Sequence, residues 1–174
     1  AINDYYTLYN SNVHRGLHTL AAKADKLWID AHATVANYLN ADPKEVFFIR
    51  NASEGLNWVV NTIGRQKLQK GDVVIISEME HHSNIVPWRM LQNEIDFNLE
   101  VLPITERHGL DFEHLSNLVE KHGEKIKVVS LVHKSNVLGV TIDVTKVRET
   151  IESTGALLVL DGGAIVERGA HADL

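Results

Sequence analysis

The chain has 174 residues, of which 44% are hydrophobic and none is cysteine, so we expect a single globular domain over residues 1–174, without disulfides or thiol chemistry of its own. Its 17 Lys and Arg against 23 Asp and Glu give a net charge of −6 without basic runs, which argues against nucleic-acid binding. No apolar run reaches membrane-spanning length and the N-terminal segment forms no signal-peptide core, so we expect a cytoplasmic protein that contacts no membrane.

Helical and extended patterns alternate along the chain, and this alternation predicts an α/β fold. Apolar residues at three- and four-residue intervals predict a helix over residues 17–39, and the short block 45–49 predicts a strand. The further predicted elements are, in order, helix 53–68, strand 73–76, helix 84–94 bent or begun near Pro87, strand 100–104, helix 112–121, strand 127–132, helix 144–153 and strand 157–160.

Two of the predicted strands, 73–76 and 157–160, are apolar at every position. Such strands are buried on both faces, which predicts a layered α/β/α arrangement around a mainly parallel sheet. In sheets of this kind ligands bind beyond the carboxyl ends of the strands, because the strand-to-helix loops all leave the sheet at that edge. Candidate site residues are therefore sought just after the strands.

Polar segments follow four of the strands. They contribute a hydroxyl close to free backbone N–H groups, a histidine pair, an amide and a carboxylate, a set that suits an anionic ligand with a ring. The segments cover residues 51–55, 78–84, 133–136 and 161–163.

Taken singly, these residues allow ordinary interpretations as well. Ser53 lies at or near the start of a predicted helix, where the helix dipole favours a phosphate, but serine is also a common N-cap. Asp161 closes a buried strand and needs a partner there, which is either a ligand cation or a structural ion pair or turn. Asn136 is typical of a turn, and Lys134 of a solvated surface.

No other binding motif competes with this edge. The adjacent His81 and His82 lack the accompanying ligands and spacing of a zinc site, so no metal is expected. The sequence contains no glycine-rich dinucleotide loop, Walker loop or nucleophile elbow. Dinucleotide-binding, nucleotide-triphosphatase and hydrolase functions are therefore disfavoured.

Three segments of the chain resemble signatures of the Suf-type cysteine desulfurases and their selenocysteine lyase relatives, which belong to the class V aminotransferase group of fold-type I pyridoxal-phosphate (PLP) enzymes. The likeness runs in order from the N-terminus to about Gly162, so the chain resembles the central part of the large domain, and residues 165–174 match poorly. The segments are Val13-His14-Arg15-Gly16-Leu17-His18-Thr19-Leu20, Met79-Glu80-His81-His82-Ser83-Asn84-Ile85-Val86-Pro87-Trp88 and Ser135-Asn136-Val137-Leu138-Gly139.

The resemblance implies roles for four residues in binding PLP. His81 matches the histidine that stacks on the cofactor ring and serves in proton transfer. Asp161 matches the aspartate that pairs with the pyridine nitrogen and keeps it protonated. Ser53 falls where the family has a phosphate-binding threonine, and Asn136 matches an asparagine near the phenolic oxygen of the ring.

The resemblance also implies a reaction and partners. The family converts L-cysteine to L-alanine and transfers the sulfur to an enzyme cysteine as a persulfide. This sulfur is then supplied for iron–sulfur cluster assembly. Its members are typically homodimers, and a sulfur-acceptor protein is a possible further partner. Dimerisation and a cytoplasmic location are therefore expected here as well.

Departures from the family pattern argue against turnover by these residues alone. Asn51-Ala52-Ser53 stands where the family has Gly-Thr-Thr, Ala164 stands in place of a glutamine, and Lys134 replaces a usually apolar residue. The family's Schiff-base lysine and persulfide cysteine lie beyond the region that this sequence matches. The alternative to a desulfurase is therefore a truncated or degenerate module that folds or dimerises without catalysis.

Overall fold

The computed structural model of the chain describes residues 2–162, which divide into two compact units. Residues 2–48 form the N-terminal unit and residues 49–162 form the sheet unit. All four residues that sequence reasoning assigned to the cofactor site belong to the sheet unit. In the described part of the chain, no helix combines the length and the apolar character needed to cross a membrane.

The N-terminal unit is built on one long helix. A short helix α1 (Ile2–Asp4) continues as a π-helical turn (Tyr5–Tyr9), and helix α2 follows over Thr19–Leu39. The ring of His18 caps α2 by accepting a hydrogen bond from the Ala21 N–H at 3.4 Å. A Cβ on Gly16 would lie 2.2 Å from the Cβ of Ala21, so only glycine allows the chain to enter the helix this closely.

The strand predicted over residues 45–49 is wrong. Pro43–Glu45 instead forms a 3-10 turn that Asp42 caps, and residues 46–49 join no strand ladder. Phe47 and Phe48 are 71% and 50% exposed. A β-prone block becomes a strand only where a neighbouring strand takes up its backbone hydrogen bonds, and none does so among the described residues.

The sheet unit contains four parallel strands in the order β2-β1-β3-β4. Their bounds are β1 Val73–Ser77, β2 Asn98–Leu102, β3 Ile126–Val132 and β4 Leu157–Asp161. This arrangement confirms the predicted α/β class and the parallel sheet.

Helices connect and cover the strands. Helix α3 (Ala52–Val59) continues through a π-helical turn (Val60–Gly64) into α4 (Arg65–Lys67), which together correspond to the single helix predicted before β1. The remaining predicted helices are confirmed with boundaries shifted by one or two residues. They are α5 Val86–Ile95, with Pro87 in its first turn, α6 Phe112–His122 and α7 Val144–Ile151.

Strand β2 begins and ends two residues earlier than predicted. It pairs with β1 from Val73↔Asn98 to Ser77↔Leu102, and Pro103 follows directly. Proline has no N–H to donate to a ladder, which stops the strand there. Ile104 forms an isolated antiparallel bridge with Leu110 instead.

The two faces of the sheet carry separate apolar cores, because successive side chains of a strand point to opposite faces. Val73 and Ile75 of β1 belong to the core that includes residues of α6 and α7, such as Leu115 and Val147. The opposite core contains Val74, Ile76, Val60, Trp88 and Leu91, which brings in the π-helical turn and α5. The helices therefore lie on both faces, as the layered arrangement predicts.

The strand order reverses between β1 and β3. From β1 the chain passes through α5 to β2 on one side, whereas β3 lies on the other side of β1. The loops that leave β1 and β3 therefore diverge to opposite faces, and the carboxyl edge at such a reversal is the usual ligand position in open parallel sheets.

Candidate functional site at the carboxyl edge of the sheet

The loop that follows β1, residues 78–85, carries the histidine pair and is called the histidine loop. His81 is the N-cap of a 3-10 turn (His82–Asn84), and its own backbone carbonyl accepts the Asn84 N–H at 2.8 Å. The ring of His81 is exposed. Strand β1 thus presents this imidazole just beyond its carboxyl end.

The orientation of the His81 ring is set by Ser83. The Ser83 backbone N–H lies 3.2 Å from Nδ1 of His81, and the Ser83 hydroxyl lies 2.8 Å from the same nitrogen. A backbone N–H can only donate, so Nδ1 acts as an acceptor and the neutral imidazole carries its proton on Nε2. A hydrogen-bond donor is therefore available on the side of the ring away from the turn.

On the inner side of the same loop, Glu80 is buried, with 8% of its surface exposed. One carboxylate oxygen accepts the Ser77 hydroxyl at 2.5 Å and the Val132 backbone N–H at 3.0 Å. The other accepts the side-chain amide of Asn84 at 2.7 Å. Glu80 thus ties the histidine loop to the end of β1 and across to β3.

The buried Asn84 extends this network. Its Oδ1 accepts the Ser130 hydroxyl at 2.6 Å and the Trp88 indole N–H at 3.3 Å. An indole N–H is only a donor, so the atom facing it is the amide oxygen and the NH₂ group faces Glu80. The donors and acceptors of the cluster are consequently matched at every contact.

Trp88 links the network to the helical segment before β1. Its ring lies against Gly64, where an added Cβ would approach the Trp88 ring to 3.1 Å and a Leu91 methyl to 3.0 Å. The absence of a side chain at Gly64 lets the helix pack this closely.

The charge state of Glu80 is governed by opposing effects. Burial raises the pKa of the Glu80 carboxyl above its ordinary value of 4.5, and the hydrogen bonds from Ser77, Asn84 and the Val132 N–H oppose that rise. The negative charge of Asp161 adds to the increase in the pKa. Glu80 and Asp161 are therefore close enough to influence each other.

Asp161 is the last residue of β4, and 7% of its surface is exposed. It lies opposite Val132 in the parallel register, and its backbone carbonyl accepts the His133 N–H at 2.9 Å. In the described part of the chain, each buried side-chain nitrogen or oxygen has a hydrogen-bond partner. A buried carboxylate thus closes β4 beside the Glu80 network.

Ser53 is not the cap of helix α3, because Asn51 takes that position. The Asn51 side chain accepts the Glu54 N–H at 2.9 Å, and Ser53 is the second helical residue with an exposed side chain. The hydroxyl remains in the first turn, where the leading N–H groups have no partner within the helix. Helix α3 contacts the 3-10 turn of the histidine loop.

The half-buried Glu54 also lies in this first turn and pairs with the exposed Arg50 at 3.0 Å. The hydrogen bond from Arg50 lowers the pKa of the Glu54 carboxyl. An anion bound here would meet both a carboxylate and its guanidinium partner.

Asn136 lies in the loop after β3, residues 133–142, which is called the asparagine loop. Main-chain hydrogen bonds close it: the Ser135 N–H donates to the Val140 carbonyl, and the Gly139 N–H donates to the Ser135 carbonyl, both at 2.9 Å. Lys134 forms an isolated bridge with Thr141 at its base. The Asn136 side chain is exposed, as in an ordinary turn.

The structure therefore places His81, Asn136 and Asp161 just after or at the carboxyl ends of β1, β3 and β4. Ser53 belongs to a helix that contacts the histidine loop. Among residues 2–162 no group of three or more acidic, histidine or cysteine side chains could hold a metal ion. The predictions for Ala164 and for the segment 165–174 lie outside the described residues.

Sequence reasoning missed Glu80 and Asn84 as functional candidates. The available signal was a pair of polar residues, Glu80 and Asn84, which lie four positions apart on either side of His81 and follow an apolar strand. An exposed loop would show the same polar pattern, so sequence could not tell which of these side chains are buried.

Comparison with known proteins identifies the family. The aminotransferase class-V profile matches residues 1–171. Cysteine desulfurase from Dickeya dadantii is 38% identical over 164 residues, which cover 94% of this chain and 39% of that protein. The chain therefore belongs to the aminotransferase class-V family, and its likeness to cysteine desulfurases, predicted from the sequence, is confirmed.

Solved structures agree with this assignment. The apo structure of cysteine desulfurase from Thermococcus onnurineus NA1 superposes with a TM-score of 0.84 at 31% identity and covers 92% of this chain and 39% of that chain. A C-DES mutant with glycine covalently linked to its PLP cofactor shares the fold, with a TM-score of 0.72 at 14% identity over 88% of this chain and 40% of that one. The chain thus spans about two fifths of the relatives that it matches.

The carboxyl edge fits a phosphorylated pyridine on the chemistry of its donor set. Asp161 and Glu80 are both buried and the negative charge of Asp161 raises the pKa of Glu80, so a protonated ring nitrogen beside Asp161 would offset that charge. The N–H groups in the first turn of α3 and the Ser53 hydroxyl suit a phosphate. The exposed imidazole of His81 is free to lie against a ring.

Proposed function

We propose that this chain forms part of the PLP-binding site of a cysteine desulfurase that acts on L-cysteine. Asp161 would hold the pyridine nitrogen, Ser53 and the start of α3 the phosphate, and Asn136 the phenolic oxygen. When bound, PLP supplies an electron sink for the substrate carbon. The observation that carries the proposal is the buried Asp161 carboxylate at the carboxyl edge, one strand away from the strand-order reversal.

His81 would have two roles in that site. Its ring would stack on the cofactor, and its Nε2 would move a proton at the substrate, since Nδ1 is occupied by Ser83. An imidazole is the side chain most often used to exchange protons around neutral pH. We expect the loss of this ring to affect proton transfer more than affinity.

The wider biological role is part of the same proposal and is supported by the resemblance to the desulfurase family. We expect a cytoplasmic homodimer that delivers sulfur to an acceptor protein for iron–sulfur cluster assembly. The one-domain organisation also stays a prediction. One observation favours the alternative, a non-catalytic module: the Asn51 side chain and the Arg50–Glu54 pair crowd the turn where the phosphate would bind.

Binding of pyridoxamine 5′-phosphate tests the proposal, because this amine form of the cofactor makes no covalent bond with a lysine. We expect the full chain to bind it, with a change in ligand fluorescence. Asp161→Ala should weaken binding about 100-fold, because it removes the partner of a buried charge. His81→Ala should weaken it about five-fold through lost stacking, whereas His82→Ala should not.

PLP itself then separates the two functions. After borohydride reduction, an adduct at one specific lysine, found by mass measurement, would support a retained cofactor site. No binding of pyridoxamine 5′-phosphate, or equal binding by wild type and Asp161→Ala, would favour the non-catalytic module.

A further inference from the structure

We propose that Glu80 is the positioning residue for His81: it fixes the imidazole by joining both ends of the turn around His81 and anchoring them to β3. Glu80 precedes His81, and Asn84 ends the 3-10 turn that His81 caps. Their side chains meet at 2.7 Å, so the hydrogen bond closes a ring of five residues with His81 on its outer side. What His81 does in catalysis rests on the proposed function, but its positioning does not.

The anchoring contacts come from the sheet rather than from the loop. The Val132 N–H and the Ser77 hydroxyl both donate to Glu80, and the Ser130 hydroxyl donates to Asn84. Strands β1 and β3 therefore hold Glu80 and Asn84, which flank residues 81–83, through hydrogen bonds. Rigid strands hold a side chain with less spread than a loop would on its own.

With asparagine at position 84, each donor of this network faces an acceptor only when an acceptor-only group stands at position 80 and the amide oxygen of Asn84 faces Trp88. All three hydrogen-bond partners of Glu80 are donors. A glutamine at this position would therefore place its own NH₂ group, which is also a donor, opposite one of them. Its oxygen would still accept from Val132 and Ser77, but its nitrogen would face the NH₂ of Asn84. Leaving a buried polar group unpaired in this way loosens the turn.

Exchanging the two functional groups restores the pattern. In the double variant Glu80→Gln with Asn84→Asp, the glutamine nitrogen donates to the introduced aspartate. The second oxygen of that aspartate accepts from Ser130 and Trp88, as the amide oxygen does now. The hydrogen bonds are conserved while the carboxylate moves, so this variant isolates the role of the hydrogen-bond pattern.

The test uses the full chain without ligand, with ¹⁵N-labelled histidine. In the wild type we expect the His81 ring nitrogens to report a single Nε2–H tautomer. Glu80→Gln should shift both signals towards the average of the two tautomers and weaken pyridoxamine 5′-phosphate binding about ten-fold. The double variant should restore the wild-type signals and affinity. Glu78→Gln is the matched control, because Glu78 lies in the same loop, is exposed and accepts only the Ile104 N–H among its described contacts.

Each outcome decides the matter. The inference is overturned if folded Glu80→Gln keeps the wild-type His81 signals, or if the double variant fails to fold or shows the averaged signals. If Glu80→Gln itself does not fold, a folded double variant with a single His81 tautomer still supports the inference. A wild type that binds no pyridoxamine 5′-phosphate but whose His81 tautomer depends on Glu80 refutes the proposed function alone.

Discussion

The histidine loop and the asparagine loop leave neighbouring strands at the same edge, but they are held in different ways. The histidine loop depends largely on side chains: beside the main-chain bond from Glu78 to Leu102, Glu80 and Asn84 make the contacts that bind it to β1 and β3. The asparagine loop is closed mostly by main-chain bonds, including that from the Ile142 N–H to the His133 carbonyl at 2.9 Å.

This difference predicts how each loop responds to substitution. Main-chain bonds survive a change of side chain, whereas a buried polar network fails when one member is removed. A loop held by side chains can therefore fix the orientation of a functional group, but it tolerates fewer substitutions. The asparagine loop should accept most changes except where its backbone conformation needs glycine.

The largest effect should come from Asn84→Ala. It leaves the Glu80 carboxylate, the Ser130 hydroxyl and the Trp88 indole each short of a partner, and we expect the free energy of unfolding to fall by about 3–5 kcal/mol. Asn136→Ala in the other loop should change it by less than about 0.5 kcal/mol. Urea unfolding followed by tryptophan fluorescence measures both, and similar losses would refute the contrast between the loops.

A second effect should appear in the asparagine loop at Gly139, which has a φ of 69°. An added Cβ would meet nothing within 4 Å, so any cost comes from the backbone conformation. We expect Gly139→Ala to lower the free energy of unfolding by about 1–2 kcal/mol. In the control Gly109→Ala, the Cβ would make an ordinary 3.6 Å contact with Thr105, so a loss as large there would contradict this explanation.

In the histidine loop, Glu80 should make stability depend on pH. Its pKa is raised on folding, so between the ordinary value of 4.5 and the raised value the folded chain holds a proton that the unfolded chain has lost. The stability from Glu80 is therefore fully present below pH 4.5 and is lost as the pH rises through the raised pKa, with a slope of at most about 1.4 kcal/mol per pH unit.

Glu80→Gln measures this dependence. The deficit in stability of the variant relative to the wild type should be largest at acidic pH and should narrow as the pH rises. Urea unfolding at several pH values gives both curves. Parallel curves would show that Glu80 has the same pKa in the folded and unfolded chain.

The smallest effect is expected for Lys134→Ala. The bridge between Lys134 and Thr141 uses backbone atoms, so the loop should keep its shape and the free energy of unfolding should change by less than about 0.5 kcal/mol. A larger loss in the same urea assay would mean that the Lys134 side chain holds this loop as well.

Much of the sheet unit follows from local sequence. Val73–Ser77 is apolar almost throughout because both faces of β1 are buried, and such a run identifies a central strand wherever it occurs. Asp111 and Asp143 begin their helices by accepting N–H groups of the first turn, and both caps precede regular apolar spacing. Local signals of this kind depend on the chain's immediate neighbours only.

Two of the errors depend on pairing between strands, which local sequence does not show. Residues 45–49 have the composition of a strand but lack a partner among the described residues, and β2 ends at the point set by its pairing with β1 and by Pro103. The position of Ser53 near the start of α3 agrees with the prediction, and a local contact decides that Asn51 is the cap, since its oxygen accepts the Glu54 N–H.

By itself, then, the sequence determined the class of fold, the order along the chain of the four strands of the sheet and the edge at which the polar candidate residues lie, because periodicity and apolar runs encode burial directly. Only the tertiary structure decided that Glu80 turns inward while the adjacent His81 stays exposed, and that β1 and β3 are neighbours. Those outcomes depend on which strands lie side by side. The hydrogen-bond partners concerned are up to 52 positions apart in the chain, so the residues next to each of them do not reveal the pairing.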